Sequence, residues 1–457
     1  MGNGIAYTVL AFWPLLAIYL YRIKSMQIAT LWTIIGGFMF LPVKTAVDLP
    51  MIPVMGKDSI PVVSALVGCW LIKEKKISYF KELGNIKYLV ILFLIVPFIT
   101  ASLNSDSITK GGYFLPSLTY YDGLSATINQ FLLISPFFIG RQFFRTYSDQ
   151  LAMLKLIVVA GLFYSILMLF EVRLSPQLHT WVYGYFPHSF GQQMREGGFR
   201  PVVFMGHGLL VAFFTVIVLI ASSALWINRI KVRQFSPKLV SSYMLVVLVL
   251  CKSIASLFYG VIGLAMVILT KPKLQLRATV ILVCLALFYP TMSIIKIFPH
   301  QWIVNTAELI SPERAQSLNF RFENENILLT HGRERFFFGW GGWGRNRVYN
   351  EESGRDETVT DGRWIITFGQ FGIFGFIAEF GLLAITVFQA NKALRLLKSK
   401  PERNLLAAHA LLVGVIMIDQ LPNASLAPWL WLIAGILLGR SGAILAENKL
   451  NKPISQI

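Results

Sequence analysis

The sequence predicts an all-α, polytopic integral membrane protein with about 12–14 transmembrane helices, on three observations. Only 14% of its 457 residues are charged while 55% are hydrophobic, and mean hydropathy is +0.61; a soluble domain carries roughly a quarter charged residues. The apolar residues gather into runs long enough to fill a bilayer core as helices. The connections between runs alternate between densely and sparsely basic, as the two sides of a membrane protein do. This excludes a solvated globular enzyme, a disordered chain and a disulfide scaffold.

Thirteen runs lie at residues 4–21, 27–43, 59–72, 88–103, 123–140, 151–171, 204–226, 239–251, 254–270, 278–298, 364–390, 405–420 and 425–439. The first lacks a basic leader and a small-residue cleavage site, so it reads as a first span. Residues 239–270 are interrupted only by Lys252 and Ser253, which predicts a tight helical hairpin turning at the outer surface. Cys69, Cys251 and Cys284 lie far apart in apolar runs with no CxxC spacing, so neither a disulfide framework nor a zinc site follows. No internal repeat is apparent, and residues 1–457 read as one polytopic domain.

The net charge is +18, from 41 Lys+Arg against 23 Asp+Glu. Seven regions carry the excess: 22–24, 73–87, 141–155, 229–238, 271–277, 392–403 and 440–452 together hold 25 Lys+Arg and 5 acids. The positive-inside bias makes these cytoplasmic. A nucleic-acid partner is excluded, since the basic loops are short and divided among many spans. The outer connections are then 44–58, 104–122, a smaller loop at 172–203 and a large loop at 299–363. The last alternates polar and aromatic residues, which predicts short amphipathic helices over the membrane mouth, with 172–203 as a second piece of the same cap.

Those two loops hold eleven arginines and no lysine. Outer loops escape the positive-inside bias, so arginine there needs another reason. Its planar fork matches phosphate and carboxylate oxygens, which points to a phosphate-bearing or acidic substrate. The alternative is solvated pairing with Glu323, Glu325, Glu334, Glu351, Glu352, Asp356 and Glu357, expected for about seven of the eleven. Arg200 and Arg363, just before spans, are the better-placed candidates, because an ionisable group at the bilayer mouth is costly without a partner. Arg321 follows, while Arg173 reads as a snorkelling residue.

Three ordered patterns stand out: Gly198-Phe-Arg-Pro-Val-Val-Phe-Met-Gly-His-Gly208; Ser317-Leu-Asn-Phe-Arg321 followed by Arg335-Phe-Phe-Phe-Gly-Trp-Gly-Gly-Trp-Gly344; and Asp361-Gly-Arg-Trp-Ile-Ile-Thr-Phe-Gly-Gln-Phe-Gly372-Ile-Phe-Gly375. In this order, over residues 195–390, they resemble the O-antigen polymerase and O-antigen ligase superfamily. The resemblance implies a GT-C-like, metal-independent, inverting glycosyltransferase without cofactors in a bacterial inner membrane, its active site facing the periplasm. Such an enzyme takes a glycan from undecaprenyl pyrophosphate and passes it to a sugar hydroxyl of another lipid-linked unit. A chain-length regulator or other polysaccharide assembly proteins are the implied partners. Arg200 and Arg321 resemble the arginines that hold the pyrophosphate. The ligases carry a histidine where this chain has Asp361, a departure that favours a polymerase over a ligase. A flippase of anionic glycolipid is disfavoured by the absence of a repeat.

The residues themselves fit that chemistry. Fixed arginines stabilise charge developing on a departing pyrophosphate, and a base within about 3 Å of the acceptor hydroxyl assists attack. Asp361, His331 and Glu334 are the candidate bases, in that order; for Asp361 the alternative is a helix N-cap. Arg335 and Arg345 join the candidate substrate contacts. His207, between two glycines, reads as a ligand contact or as a partner of a backbone carbonyl at a helix break. Trp340 and Trp343 in the glycine-rich stretch can stack on sugar faces or anchor at the interface. Gly369 to Gly375 reads as close helix packing. Lys252, Lys296, Glu379 and Asp419 are polar groups in or near spans.

Overall fold

A computed structural model describes residues 2–48, 53–195, 197–309 and 312–450, without the side chains of Glu313, Arg314 and Ser317. All thirteen apolar runs are helical. They correspond to α1 (Gly4–Ile23), α2 (Met26–Phe40), α3 (Ser59–Val67, continued by a π turn over Gly68–Ile72), α4 (Ile86–Ser102), α5 (Tyr120–Phe143) and α6 (Tyr147–Leu174). After a short α7 (Leu178–Tyr183) come α8 (Gly208–Ile227), α9 (Pro237–Leu250), α10 (Ile254–Leu269) and α11 (Pro272–Ile294). Two helices, α12 (His300–Glu308) and α13 (Pro312–Glu334), precede α14 (Arg363–Leu394), α15 (Lys400–Asp419) and α16 (Pro428–Leu450). Among the described residues the only sheets are three antiparallel hairpins: β1 (Ala46–Val47) with β2 (Met55–Gly56), β3 (Ile108–Lys110) with β4 (Tyr113–Leu115), and β5 (Met194–Arg195) with β6 (Gly198–Phe199).

Eight helices, α1, α5, α6, α8, α11, α14, α15 and α16, are long and apolar enough to cross a membrane, and five further apolar helices are shorter. The architecture is that of an all-α, multi-pass membrane protein. Its outward side chains agree: Phe12 on α1, Ile166 on α6, Phe258 on α10 and Phe288 on α11 are all exposed, which suits lipid rather than water. Helix starts are written locally. Thr119 and Thr146 form capping boxes with Asp122 and Asp149. Pro237, Pro272 and Pro401 sit in the first turns of α9, α11 and α15, where the missing N–H costs no helical hydrogen bond.

The core gathers around α8, α15 and α16, which are buried over most of their length. Helices α5 and α16 approach closely through small residues. A Cβ at Gly435 would collide with the Phe137 carbonyl, and one at Gly439 with the Arg141 carbonyl, so these glycines set the helix separation.

The stretch expected as one span at 364–390 is bent. Gly372 has φ 64° and ψ −164°, and a Cβ there would strike the Phe337 backbone. The open backbone at the bend is paired by the incoming loop. Ile373 N–H donates to the Phe336 carbonyl, while Trp340 and Gly341 N–H donate to the carbonyls of Gly369 and Gln370, each at 2.8–2.9 Å. Gly372 therefore receives a loop backbone rather than a neighbouring helix.

The seventh run also starts later than its apolar residues suggest. Helix α8 begins at Gly208, and residues 200–207 form a non-helical entry held by Glu171, whose buried carboxylate accepts Val202 and Val203 N–H at 2.7 Å each. The hairpin expected at Lys252-Ser253 is present as α9 and α10 joined by three residues, and Lys252 Nζ donates to the Arg195 carbonyl at 2.9 Å. That turn lies at the end of the bundle that carries loop 172–203. In the large loop, α13 is a 23-residue helix, longer than the short cap helices expected.

Candidate functional site

Two cavities meet at the loop end of the bundle. The first, about 320 Å³, is walled by α13, by the end of α11 and by the start of α14, with Arg321, Glu325, Tyr289 and Asp361 among its lining. The second, about 250 Å³, is lined by His188, His207, Thr360, Asp361 and Asp419. Asp361 and Pro422 belong to both walls. Residues of loops 172–203 and 299–363 thus line adjoining cavities.

Arg321 and Asp361 are both exposed, and among the described residues neither side chain has a hydrogen-bond or ion-pair partner. Asp361 does not cap α14: the N-cap is Gly362, with no side-chain hydrogen bond. Gly362 is required there, since a Cβ would collide with the Leu421 carbonyl. The Arg363 N–H donates to the carbonyls of Gln420 and Asn423, each at 3.0 Å, which fixes Asp361 beside the α15–α16 turn.

Glu325 sits one turn from Arg321 on α13, yet makes no salt bridge with it. Its carboxylate accepts the Tyr289 hydroxyl, with His300 3.9 Å away. Burial pushes Glu325 up to about 7, against a usual value near 4.5. Near neutral pH it therefore stands partly protonated and does not cancel the Arg321 charge. Sequence reasoning took Glu325 for an arginine partner; the missed signal is the tyrosine at the end of α11, which no local spacing connects to it.

His207 is the N-cap of α8: its Nδ1 accepts the Leu209 N–H at 3.1 Å, and Nε2 faces Gln192 Oε1 at 3.4 Å. It therefore partners a backbone N–H and not a carbonyl. Burial, with His188 and Arg200 nearby, lowers it to about 4, so the ring is neutral. Arg200, 7% exposed, lies behind His207 outside the cavity wall. Its Nη2 donates to the Lys252 carbonyl at 2.8 Å, and its buried Nε has no partner among the described residues. Gly208 is the floor under it, since a Cβ there would collide with Arg200 Cδ.

The remaining candidates gather elsewhere. His331 stacks on Trp340 at 4.3 Å, its Nε2 meets the Arg345 carbonyl at 2.9 Å and its Nδ1 faces Glu334 at 3.4 Å. The Arg335 guanidinium lies 4.2 Å from the Trp340 ring centre and grips both oxygens of Asp106 at 3.0–3.1 Å. Arg345, fully buried, donates to the carbonyls of Asp106 and Pro116 and lies 3.5 Å from the Asp106 carboxylate. This cluster fastens the large loop to residues 104–118. Trp343 and Arg363 line a third cavity of about 560 Å³; Trp343 donates to Asp122 at 3.1 Å, and Arg363 is neutralised by Glu379 at 2.7 Å.

Pairing among the arginines of loops 172–203 and 299–363 departs from the expectation. Of the seven acids proposed as partners, only Asp356 pairs with an arginine, Arg347, among the described residues. The acids that do the rest are Asp106, for Arg335 and Arg345, and Glu379, for Arg363. The Arg314 and Ser317 side chains lie outside the described residues. Among the described residues, no three His, Cys, Asp or Glu side chains gather as a metal ion would need.

No protein-family model and no curated protein matches this sequence.

Proposed function

We propose that the chain is a polysaccharide polymerase of the outer face of a bacterial inner membrane, transferring a glycan from undecaprenyl pyrophosphate to a sugar hydroxyl of a second lipid-linked unit. The observation that carries this reading is a guanidinium, Arg321, and a carboxylate, Asp361, that line one cavity at the loop end of the bundle and have no partner among the described residues. A charge pair left open in a shared wall is fitted to act on something other than itself.

In the reaction, Arg321 binds the pyrophosphate and takes up negative charge as the bond between the anomeric carbon and the phosphate oxygen breaks. The acceptor oxygen forms the new bond to that carbon from the opposite face, and Asp361 takes its proton. Undecaprenyl pyrophosphate leaves. Glu325, partly protonated near neutrality, leaves the Arg321 charge largely uncancelled for the diphosphate. Arg200, behind His207, adds positive potential to the second cavity and positions the α8 entry.

The test is purified protein in proteoliposomes with defined undecaprenyl-pyrophosphate oligosaccharide, scored for polymer, single transfer and lipid movement. Ladders of repeat units support the reading. Single transfer to a different acceptor indicates a ligase, and movement of the lipid without a new glycosidic bond indicates a flippase; either overturns it.

A further inference from the structure

At the opposite end of the bundle, four of the seven basic regions converge on one cavity of about 760 Å³. Lys81 precedes α4, Arg141 ends α5, Arg145 leads into α6, Lys392 lies near the end of α14 and Lys449 near the end of α16. Glu82 is the single acid in the lining, and Arg145 already pairs with it at 3.0 Å.

The remaining cations are not consumed by the fold. Among the described residues, Lys81, Lys392 and Lys449 make no ion pair or side-chain hydrogen bond. Arg141 spends one nitrogen on the Ser78 carbonyl at 3.0 Å, and its Nε is buried without a partner among the described residues. A positive-inside bias alone distributes lysines over a surface; it does not wall a cavity with them or bury a guanidinium donor unpaired. The same lining carries the apolar Leu83, Ile86, Leu438 and Leu445. Cations and apolar side chains lining one cavity match an amphiphile whose charged end is a phosphate. The volume lies within the range of small-molecule sites.

We infer that this cavity binds the headgroup of an anionic phospholipid, its phosphate against Arg141 and the three lysines and its acyl chains along the apolar wall. The inference is independent of the glycosyl-transfer reading, which concerns the other end of the molecule. Basic pockets between transmembrane helices hold anionic headgroups for this physical reason.

The experiment is native mass spectrometry of the delipidated protein with added phosphatidylglycerol, phosphatidylcholine or inorganic phosphate. Phosphatidylglycerol is retained over phosphatidylcholine, and each of K81Q, K392Q and K449Q weakens its retention by about fivefold. A K271Q/K273Q variant, altered in the basic connection outside this cavity, retains it as the parent does. Equal retention of the two lipids, or equal loss in K271Q/K273Q, overturns the inference and leaves only diffuse surface charge. Saturable binding of inorganic phosphate with no preference between the lipids assigns the site to a free anion and also overturns it.

Discussion

Arg363 and Glu379 stand sixteen positions apart and meet in a bidentate ion pair, with guanidinium–carboxylate distances of 2.7–3.1 Å. A straight helix would separate them by about 24 Å, so the pair exists only because α14 folds back at Gly372. Thr367 donates to the same carboxylate. Glu379 is fully buried, and the pair holds the first turns of α14, and with them Asp361, at the mouth of the bundle.

Removing one partner strands a buried charge. R363A is expected to destabilise the protein by about 3 kcal/mol or more, and R363A/E379Q to recover part of that loss. Thermal unfolding in detergent, followed by tryptophan fluorescence, measures both. Equal midpoints for R363A and the parent would mean the bend does not depend on the pair.

Asp106 provides a contrast at the loop end of the bundle. It holds Arg335 and Arg345 together, and Arg345 is fully buried. D106N is expected to lower the unfolding midpoint because two guanidinium groups lose their counter-charge, whereas R321A, at an exposed site with no partner among the described residues, leaves the midpoint within about 1 °C of the parent. The two variants separate folding from function. A midpoint drop in R321A as large as in D106N would remove Arg321 from the substrate contacts.

Glu325 sets a pH dependence. Its folded value is about 7 against a usual value near 4.5, so between these values the folded protein holds a proton that the unfolded chain has released. Stability therefore falls as pH rises through this window, by at most on the order of 3 kcal/mol, and E325Q flattens the profile. Binding follows the same sign. As Glu325 ionises above about pH 7, negative charge appears beside Arg321 and affinity for lipid-linked pyrophosphate drops in the parent but not in E325Q. Titration of binding on either side of that value reads the difference.

The helices were legible in the sequence because bilayer thickness imposes run length directly, and all thirteen runs are helical. The bend at Gly372 was not, since Phe and Ile on either side of the glycine continue the apolar run. Its signal was present only as a glycine that a straight helix does not need. The site was legible in part. Arg321, Asp361 and His207 stand out separately in the sequence and line two joined cavities, while Arg335, Arg345, His331 and Trp340 form a separate cluster. Asp106 and Tyr289, which decide the partners of those arginines and of Glu325, sit more than thirty residues away in sequence and carry no local mark. Side-chain pairing across a fold is written in tertiary distance, which charge counts along the chain do not contain.

The most direct test of the central claim is polymer synthesis by R321A and D361N in proteoliposomes supplied with undecaprenyl-pyrophosphate oligosaccharide, each first shown to unfold at the parent's midpoint. The account predicts that both lose chain elongation by about a hundredfold or more, with R321A also losing affinity for the lipid-linked donor and D361N retaining it. Parent-like ladders at parent-like rates from both variants would contradict it.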